Sequence, residues 1–485
     1  MNIVPLLESL ANEILAAEEL FLKNPKDFHS LEISVKSSTE SFAASFLGEV
    51  LSTLNSCIFE SGWRKERYTS HRLDKRTLIS SVGDITFDST YYRSIAGNQE
   101  FTHLVEDVIG IDRNERFTED AEVSILQEAM KSSYEEATKV LPSRQKITKT
   151  TVMNKVHRIA EEMPDVINEE PKKVPYLFVE ADEDHVAEQH GRASRKEDNK
   201  GFISKLIYVY EYKQDSAIAK GRKELVNTHY FSGLYPGSDG NRRLWGKVQR
   251  FIELNYDLDA VKRIFISGDG ANWIKSGTDY LNNSVFCADK YHLMQYLNAA
   301  AGQMLDEKDS VKEELWHLLY SKSKRAKTKF DSYTSQMMKS AKKPEVIEKL
   351  RTYVLCNWDA VRRTLTNKLV SGCSAESHVS HVLSDRLSSR PMGWSPTGAD
   401  RISKLRCFEK NNGREKIIEL VKYSRKQKRL AATGTEDVAP RICKVGEVVA
   451  EHYNQARSYI DRFQAHLVEG TAKKTAAIRS LIWGL

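Results

Sequence analysis

The chain has 485 residues, of which 40% are hydrophobic, and its 73 Lys and Arg against 67 Asp and Glu give a formal net charge of +6. The length allows roughly two to four domains, and the apolar share is large enough for buried cores, which excludes a chain that is disordered throughout. The small positive excess is compatible with a polyanionic partner but does not require one.

The cysteines and the N-terminus indicate the compartment. The six cysteines are scattered along the chain at Cys57, Cys287, Cys356, Cys373, Cys407 and Cys443. None of them forms a Cys-x-x-Cys pair, so the sequence predicts neither a disulfide framework nor a zinc ribbon. Acidic residues interrupt the apolar N-terminus, and no uninterrupted apolar run has the length of a membrane span. We therefore expect a cytoplasmic protein without a membrane partner.

The first part of the chain predicts helices followed by a β-hairpin. Apolar residues at helical spacing indicate that residues 1–70 form an N-terminal helical region. Residues 76–93 are rich in β-branched and aromatic side chains and are interrupted by Gly83 and Asp84. This pattern predicts a β-hairpin with its turn near that pair.

A helix-turn-helix is expected next. Residues 118–160 return to helical spacing, with a short turn at Pro142. This layout is typical of DNA-binding motifs, although similar helix pairs are common in proteins that bind no DNA. We assign the hairpin and this motif to a DNA-binding region, residues 71–165, with Thr148 as the N-cap of the second helix. The expected DNA-contacting residues are Thr148, Thr150, Thr151, Asn154 and Lys155.

The remaining elements predict an α+β catalytic core. Residues 174–294 have the order of three strands, a helix, a strand, a helix and a strand, which is that of a ribonuclease H-like mixed sheet. The second and third of these strands are predicted at residues 202–213 and 222–233. Residues 295–365 are helical and basic and are expected to be an insertion. We expect residues 366–400 to return to the core as a helix, and residues 401–485 to form a basic helical C-terminal region. Eleven Lys and Arg against three Glu in residues 401–430 could contact DNA phosphates or simply form a solvated helix face.

Two groups of acids follow predicted strands. Glu180, Asp182 and Asp184 alternate along one strand and therefore share one of its faces. Asp269 follows a β-branched run and stands between two glycines, at the end of a strand where α/β proteins bind ligands. The alternative interpretations are a solvated strand end for the first group and an ordinary turn residue for Asp269.

A third acid lies beyond the predicted insertion. Glu376 is early in a helix that Pro391 must end at or before Arg390. Arg386 and Arg390 are four residues apart and would be neighbours if the helix persists. Glu376 could instead belong to a surface ion pair. Three carboxylates from separate elements are nevertheless what two-metal phosphoryl transfer requires, because hard divalent cations prefer oxygen ligands.

Four motifs resemble those of the ISLre family of bacterial insertion-sequence transposases, which is similar to the Mutator type. These motifs are EADEDHV (180–186), SGDGANW (267–273), ADKYH (288–292) and SAESHVSHVLSDRLSSRP (374–391). The resemblance extends from about residue 70 to the C-terminus. It implies that Asp182, Asp269 and Glu376 are a DDE triad that holds two Mg²⁺ or Mn²⁺ ions. The supporting residues expected around the triad are Asp184, Asp289, His292, Arg386 and Arg390, of which Asp289 and His292 resemble the D-x-x-H signature of such relatives.

The implied activity is DNA transposition. The expected partners are double-stranded DNA, as terminal inverted repeats and as target, and further copies of the chain, since transposition joins two ends. Two alternatives remain at this stage: a ribonuclease H-like nuclease without strand transfer, and a non-catalytic DNA-binding regulator derived from a transposase. The chain contains no P-loop, dinucleotide-binding, zinc-protease or nucleophile-elbow motif.

Overall fold

A computed structural model describes most of the chain, namely residues 3–95, 101–189, 201–217, 221, 223–304, 307–370 and 372–433. The chain divides into two compact units. Of the described residues, those up to Lys155 and those of 421–433 belong to the first unit, and those of 156–420 belong to the second. Of the C-terminal region predicted at 401–485, residues 434–485 lie outside the described residues.

The first unit is built on a helix pair and a three-stranded antiparallel sheet. Its elements begin with α1 (Val4–Lys23), α2 (Phe28–Glu60), α3 (Gly62–Arg67), β1 (Tyr68–Ser80), β2 (Gly83–Ser94), β3 (Phe101–His103) and α4 (Leu104–Ile109). The predicted hairpin is confirmed, because β1 and β2 pair antiparallel from Tyr68 opposite Ser94 to Ser80 opposite Gly83. Leu78 and Phe87 of the hairpin pack with Ile58 of α2 in a buried core.

Helix α2 is also the one described helix that could cross a membrane by length and composition, which the sequence did not predict. Its inner side holds the hairpin. The Asn55 amide donates to Thr90 Oγ1 (3.0 Å), and the Thr90 N–H donates to Asn55 Oδ1 (2.9 Å). Gly48 lies so close to the Thr86 carbonyl that a Cβ atom there would collide with it. A core helix passes the same test of length and composition, so the test carries no conclusion about a membrane.

The predicted helix-turn-helix region contains three helices. They are α5 (Glu119–Ala129), α6 (Tyr134–Ala137) and α7 (Lys149–His157). The predicted N-cap is confirmed, because Thr148 Oγ1 accepts from the Thr151 N–H at 3.2 Å. Thr148, Thr150 and Asn154 are exposed and Thr151 is partly buried, so these four remain candidates for DNA contact.

The prediction that Lys155 contacts DNA is wrong. Its side chain is 3% exposed, and its ammonium forms ion pairs with Glu115 (2.5 Å) and Glu122 (3.1 Å). Arg425 also pairs with Glu122, at 2.6 Å. Lys155 lies on the side of α7 that carries the buried residue Val152, so its charge is used inside the protein.

The second unit contains a five-stranded mixed sheet. Its strands are β4 (Tyr176–Ala187), β5 (Gly201–Tyr210), β8 (His229–Gly233), β9 (Arg263–Gly268) and β10 (Ser284–Ala288), in the order β10-β9-β4-β5-β8. The central strand β4 is parallel to β9 and antiparallel to β5. Strand β10 is parallel to β9, and β8 is antiparallel to β5. The protein is therefore of mixed α+β architecture, as expected.

Two predicted strands are each broken in two. The runs predicted at 202–213 and 222–233 also supply β6 (Tyr212–Asp215) and β7 (Lys223–Val226), which pair as a separate two-stranded ribbon. Asn227 follows β7 with a φ of 54°, a left-handed conformation that ends an extended strand. The chain resumes the main sheet only in β8.

The two faces of the sheet differ in their cover. Helix α8 (Gly237–Asn255) places Leu244, Trp245 and Val248 in the core with Val179 of β4. The residues that alternate with Val179 lie on the opposite face, where Phe178 stacks on Tyr210 of β5 at a ring-centroid distance of 5.3 Å. The candidate acids of β4 lie on this second face.

Helices follow the sheet. The short helix α9 (Asn272–Lys275) lies between β9 and β10. After β10 come α10 (Lys290–Ala301), α11 (Lys308–Tyr320), α12 (Ala326–Ser340), α13 (Pro344–Cys356) and α14 (Trp358–Thr366), so the predicted helical content of residues 295–365 is confirmed. The insertion packs on the sheet, and Thr364 Oγ1 donates to the Ala288 carbonyl of β10 at 2.8 Å.

The last part of the described chain is helical, and its first helix is interrupted by a π-helical turn. Its elements are α15 (Ala375–Val379), a π-helical turn (Ser380–Ser384), α16 (Asp385–Leu387), α17 (Pro396–Asn412) and α18 (Ile417–Thr433). Part of the basic charge predicted to contact DNA is neutralised within the first unit, where Arg425 pairs with Glu122 and Lys428 pairs with Asp112 at 2.9 Å.

Candidate active site

The acids of β4 divide between the two faces of the sheet, as the alternation predicts. Glu180, Asp182 and Asp184 lie on the face opposite to α8. Glu183 points to the other side, where its carboxylate accepts from the indole N–H of Trp273 at 2.7 Å. Asp182 is thus the middle member of a row of three acids on one strand.

Asp269 lies next to Asp182. It directly follows β9, whose Ser267 is in register with Glu180 of the parallel strand β4. Two residues further along the chain from this pair, Asp182 in the middle of β4 therefore lies beside Asp269, just past the end of β9. Burial, together with the negative charge of Asp269, raises the pKa of Asp182 to about 6. The Ala271 N–H donates to Asp269 Oδ1 at 2.8 Å and fixes that carboxylate.

The structure explains why Asp269 lies between two glycines. A Cβ atom on Gly268 would lie 2.8 Å from the Ala181 carbonyl oxygen of β4 and 2.8 Å from the Ile274 side chain. Gly270 has a φ of +99°, a conformation that is strongly disfavoured for residues with a Cβ atom. Both glycines therefore allow the backbone to place Asp269 against β4.

Asp289 and His292 join the same edge of the sheet. Asp289 caps α10 by accepting from the Tyr291 N–H at 2.8 Å, and its other oxygen is hydrogen-bonded to His292 Nδ1 at 2.7 Å. This hydrogen bond raises the pKa of His292 against the effect of burial, and the negative charges of Asp182 and Asp269 add to the increase. The imidazole is therefore held close to the acid pair and is biased towards its cationic form.

The structure does not complete a protein metal site with Glu376. This side chain is exposed at the start of α15, although α15 itself packs against β4. Within the described ranges, no group of three or more His, Cys, Asp or Glu side chains has the arrangement of a metal site. The role of Glu376 therefore stays a prediction.

The two arginines expected near Glu376 are not helical neighbours, and this prediction is wrong. The helix that carries Arg386 does not persist to Arg390, because α16 ends at Leu387. Arg386 is 5% exposed, and its guanidinium lies 4.4 Å from the centroid of the Trp394 ring. Arg390 lies beyond the helix and is exposed.

Sequence reasoning missed the structural importance of Glu180 and gave Asp184 no specific contact. Glu180 is 1% exposed and accepts hydrogen bonds from the hydroxyls of Tyr208 and Tyr210. Asp184 is 7% exposed and accepts from Ser388 Oγ at 2.7 Å. The alternation of Tyr208 and Tyr210 on β5 could have indicated buried hydroxyls that need an acceptor.

The chain is similar to proteins from two bacteria. A UPF0236 protein of Caldanaerobacter subterraneus subsp. tengcongensis is 32% identical over 412 residues, which cover 85% of this chain and 84% of that protein. A second UPF0236 protein of the same organism is 31% identical, with 85% of both chains covered. A UPF0236 protein of Streptococcus gallolyticus is 22% identical over 80% of this chain and 84% of that protein.

One solved structure is also similar, the Drosophila P element transposase strand transfer complex. Its sequence identity is 13%, and the alignment covers 73% of this chain and 90% of that chain with a TM-score of 0.22. A likeness at this TM-score carries no argument about fold or function. The family is shown by the sequence instead, since residues 21–424 match the family described as Uncharacterised protein family (UPF0236). The chain therefore belongs to the UPF0236 family.

Proposed function

We propose that the protein is a DDE transposase that cleaves and joins DNA strands at the ends of a bacterial insertion sequence, as the resemblance to the ISLre family implies. In this proposal, Asp182, Asp269 and Glu376 are the catalytic carboxylates. The observation that carries it is the meeting of Asp182, midway along β4, with Asp269, which directly follows the adjacent parallel strand β9.

The topology of the sheet supports a ribonuclease H-like core. Three consecutive antiparallel strands in the main sheet, β4, β5 and β8, are followed by helix α8 and by the parallel strands β9 and β10 on the other side of β4. The chain thus reverses its strand order at β4. In open α/β sheets, ligands bind outside the carboxyl ends of the strands at such a point.

The acid pair has the chemistry of a divalent-cation site. Burial and the charge of Asp269 disfavour the ionised form of Asp182, and a cation between the two carboxylates would relieve both effects. Mg²⁺ commonly binds through one or two protein carboxylates and completes its coordination with water and substrate phosphate oxygens. Asp182 and Asp269 would hold Mg²⁺ or Mn²⁺, with Glu376 joining from α15. The bound ions would activate the nucleophile and stabilise the leaving oxygen.

The neighbouring residues would bind and orient the DNA strand. His292, held by Asp289, brings an imidazole with a raised pKa close to the acid pair, where it can interact with a phosphate. In the first unit, the exposed Thr148, Thr150 and Asn154 offer polar contacts to duplex DNA. The proposed partners are therefore the terminal inverted repeats, the target duplex and a second copy of the chain, in the bacterial cytoplasm.

A mobile element is also supported by one relative. The name of the 32% identical protein joins eleven separate designations within one organism. Several designations for one protein are expected when its gene is present in many copies, and insertion sequences multiply in this way.

The test is cleavage and strand transfer on DNA that carries the element's ends, with Mg²⁺ present. Asp269→Asn should lower cleavage by more than about a hundredfold, because changing even the outer-shell partners of a metal costs up to about a hundredfold. Binding to terminal DNA should not change. Asp259→Asn, at an exposed position of the same unit, is the control and should cleave as the wild type does.

The outcomes separate the three possible activities. Joined products from pre-cleaved ends support a transposase, whereas hydrolysis without joining means a nuclease. Binding to the ends without any cleavage means a regulator. Full cleavage by Asp269→Asn refutes the assignment of the site.

A further inference from the structure

We propose that Glu180 and Asp184 are positioning residues that attach the segment bearing Glu376 to β4 on both sides of Asp182. This inference rests on the proposed function, because it gives the two acids a purpose in assembling that site. Neither acid is proposed to bind metal. The two attachments involve Ser374, at the start of the segment, and Ser388, at its end.

The first attachment is the buried carboxylate of Glu180, whose two oxygens together accept several hydrogen bonds. Glu180 Oε2 accepts from the Tyr208 hydroxyl (2.5 Å), the Ser374 N–H (2.6 Å) and Ser374 Oγ (2.9 Å). Glu180 Oε1 accepts from the Tyr210 hydroxyl (2.6 Å) and pairs with the Lys213 ammonium (2.9 Å). Two carboxylate oxygens offer about four lone-pair sites, so five donors leave none for a metal ion.

Lys213 strengthens this attachment. The ammonium that pairs with Glu180 also donates to the Gly372 carbonyl at 2.8 Å, two residues before Ser374. Burial acts to raise the pKa of Glu180, but Lys213 and the two tyrosine hydroxyls more than offset it, so the pKa lies below its usual value. Glu180 and Lys213 together therefore hold residues 372–374, which lead into α15.

The beginning of α15 is held by a further contact. The Tyr230 hydroxyl is hydrogen-bonded to His378 Nδ1 at 2.9 Å, and the Tyr208 ring lies 4.5 Å from the His378 ring. Glu376 lies between Ser374 and His378, so the backbone on both sides of the proposed third acid is held against the sheet. The exposed carboxylate of Glu376 is thus carried on a fixed backbone.

The second attachment lies at the other end of the segment. Ser388 Oγ donates to Asp184 Oδ1 at 2.7 Å. Beyond it, the Trp394 N–H donates to the Ala187 carbonyl at the end of β4 (2.9 Å), and the Trp394 indole donates to the Leu387 carbonyl (3.2 Å). The chain after α16 therefore continues along the same strand.

Asp182 lies midway between the attachments. At a strand rise of about 3.3 Å per residue, Glu180 and Asp184 are each roughly 6.6 Å along β4 from Asp182. Residues 374–388, which include Glu376, connect the two attachment points and contain the π-helical turn. Such turns often occur at functional sites. The position of Glu376 relative to Asp182 is therefore set by the hydrogen bonds of Glu180 and Asp184.

The smallest perturbation is the hydroxyl of Ser374. Ser374→Ala removes one donor to Glu180 but keeps the backbone N–H donor, and Ser374→Thr keeps the hydroxyl. Ser377→Ala is the matched control, because Ser377 is exposed on the same helix. Glu180→Gln is the second variant, since it removes the charge at nearly constant volume.

The readouts are Mn²⁺ affinity, by electron paramagnetic resonance, and the Mg²⁺ concentration that gives half-maximal DNA cleavage. Loss of a residue that orients a ligand typically weakens metal binding by about 10- to 100-fold. We therefore expect about a tenfold weaker affinity in Ser374→Ala and a larger loss in Glu180→Gln, with wild-type values in Ser374→Thr and Ser377→Ala. The thermal unfolding temperature, measured in parallel, should change little in Ser374→Ala.

The outcomes separate this inference from the proposed function. Unchanged Mn²⁺ affinity in both Ser374→Ala and Glu180→Gln overturns the positioning role, even if the wild type cleaves DNA. A wild type that binds Mn²⁺ and cleaves no DNA refutes the transposase, while the Mn²⁺ affinities of the variants still decide the positioning role. A wild type that binds no Mn²⁺ overturns both.

Discussion

Substitution of Lys155 on α7 tests whether this side chain stabilises the fold or contacts DNA. The perturbation is Lys155→Met, which keeps most of the side-chain volume and removes the ammonium that Glu115 and Glu122 share at 2.5 and 3.1 Å. Removing one partner of a buried ion pair typically costs about 3–5 kcal/mol, because it leaves an uncompensated charge. Glu122 keeps Arg425 at 2.6 Å, and Glu115 keeps the N–H donors of Arg116 and Phe117, so neither carboxylate loses all of its hydrogen-bond donors. We therefore expect a loss near the lower limit, about 3 kcal/mol.

The assay is urea unfolding of the full chain, followed by hydrogen exchange of the α7 amides so that the first unit is observed separately. With a denaturant dependence of about 1–3 kcal/mol per molar urea, a loss of about 3 kcal/mol moves the midpoint down by roughly 1–3 M. The control is Lys149→Met on the same helix. Lys149 is 68% exposed and pairs only with the exposed Glu135 among the described residues, so its removal should cost less than about 1 kcal/mol.

The opposite result would restore the interpretation drawn from the sequence. A Lys155→Met protein that loses less than about 1 kcal/mol, yet binds terminal DNA more weakly and with a salt dependence reduced by about one ion, would mean that Lys155 contacts a phosphate. The buried ion pairs would then be a wrong description of this helix.

Three further substitutions test contacts within the second unit. Asp289→Asn should lower the pKa of His292 by removing the main cause of its increase, and an unchanged His292 titration by NMR would contradict the contact. Gly268→Ala should destabilise the unit by about 1–3 kcal/mol, because its Cβ atom would lie 2.8 Å from the Ala181 carbonyl oxygen; a thermal unfolding temperature equal to that of the wild type would refute this close approach. Burial lowers the pKa of His229 from 6.5 to about 4, so the unfolded state binds more protons between these values and stability should fall by at most about 3 kcal/mol as pH drops through that window. Urea unfolding of His229→Phe should show a smaller loss over the same window, and an identical loss would rule out His229 as its cause.

Local sequence patterns were sufficient to predict much of the fold and the strand positions of the acids on β4 and of Asp269. The pair Gly83-Asp84 between two β-rich runs predicted the hairpin, because turn residues fix where the chain reverses. Alternation along 180–184 predicted which acids share a face. The position of Asp269 after a buried strand predicted that it lies at a strand end, where α/β proteins bind ligands. Its meeting with Asp182 was implied by the resemblance to the ISLre transposases.

The errors at Lys155 and at the two arginines have a common physical cause, which is contact between residues far apart in the chain. Lys155 is buried by Glu115, 40 residues earlier, and Arg425 joins the network through Glu122, a contact that spans 303 residues. Helical periodicity on α7 contains no information about these partners. The helix end at Leu387, which leaves Arg390 outside the helix, likewise lies in a segment whose ends are held by β4.

Strand β8 was missed as a separate element for a local reason. The residues around it are suitable for an extended strand throughout 222–233, and only the left-handed φ of Asn227 interrupts them. Asparagine is merely tolerant of this conformation, so its presence in a sequence does not predict it. The interruption also allows β7 to pair with β6 instead of extending the main sheet.

The helices between β10 and α15 affect when the proposed site can form during translation. Asp182 and Asp269 leave the ribosome well before Glu376, which follows Asp269 by 107 residues, from 376 − 269. At about 5–20 residues per second, translation of that interval takes roughly 5–20 s. During this time, a nascent chain beside its own messenger RNA carries the acid pair without the proposed third acid or its docking segment. In the proposed function, the site is therefore complete only after residues 374–388 have been translated.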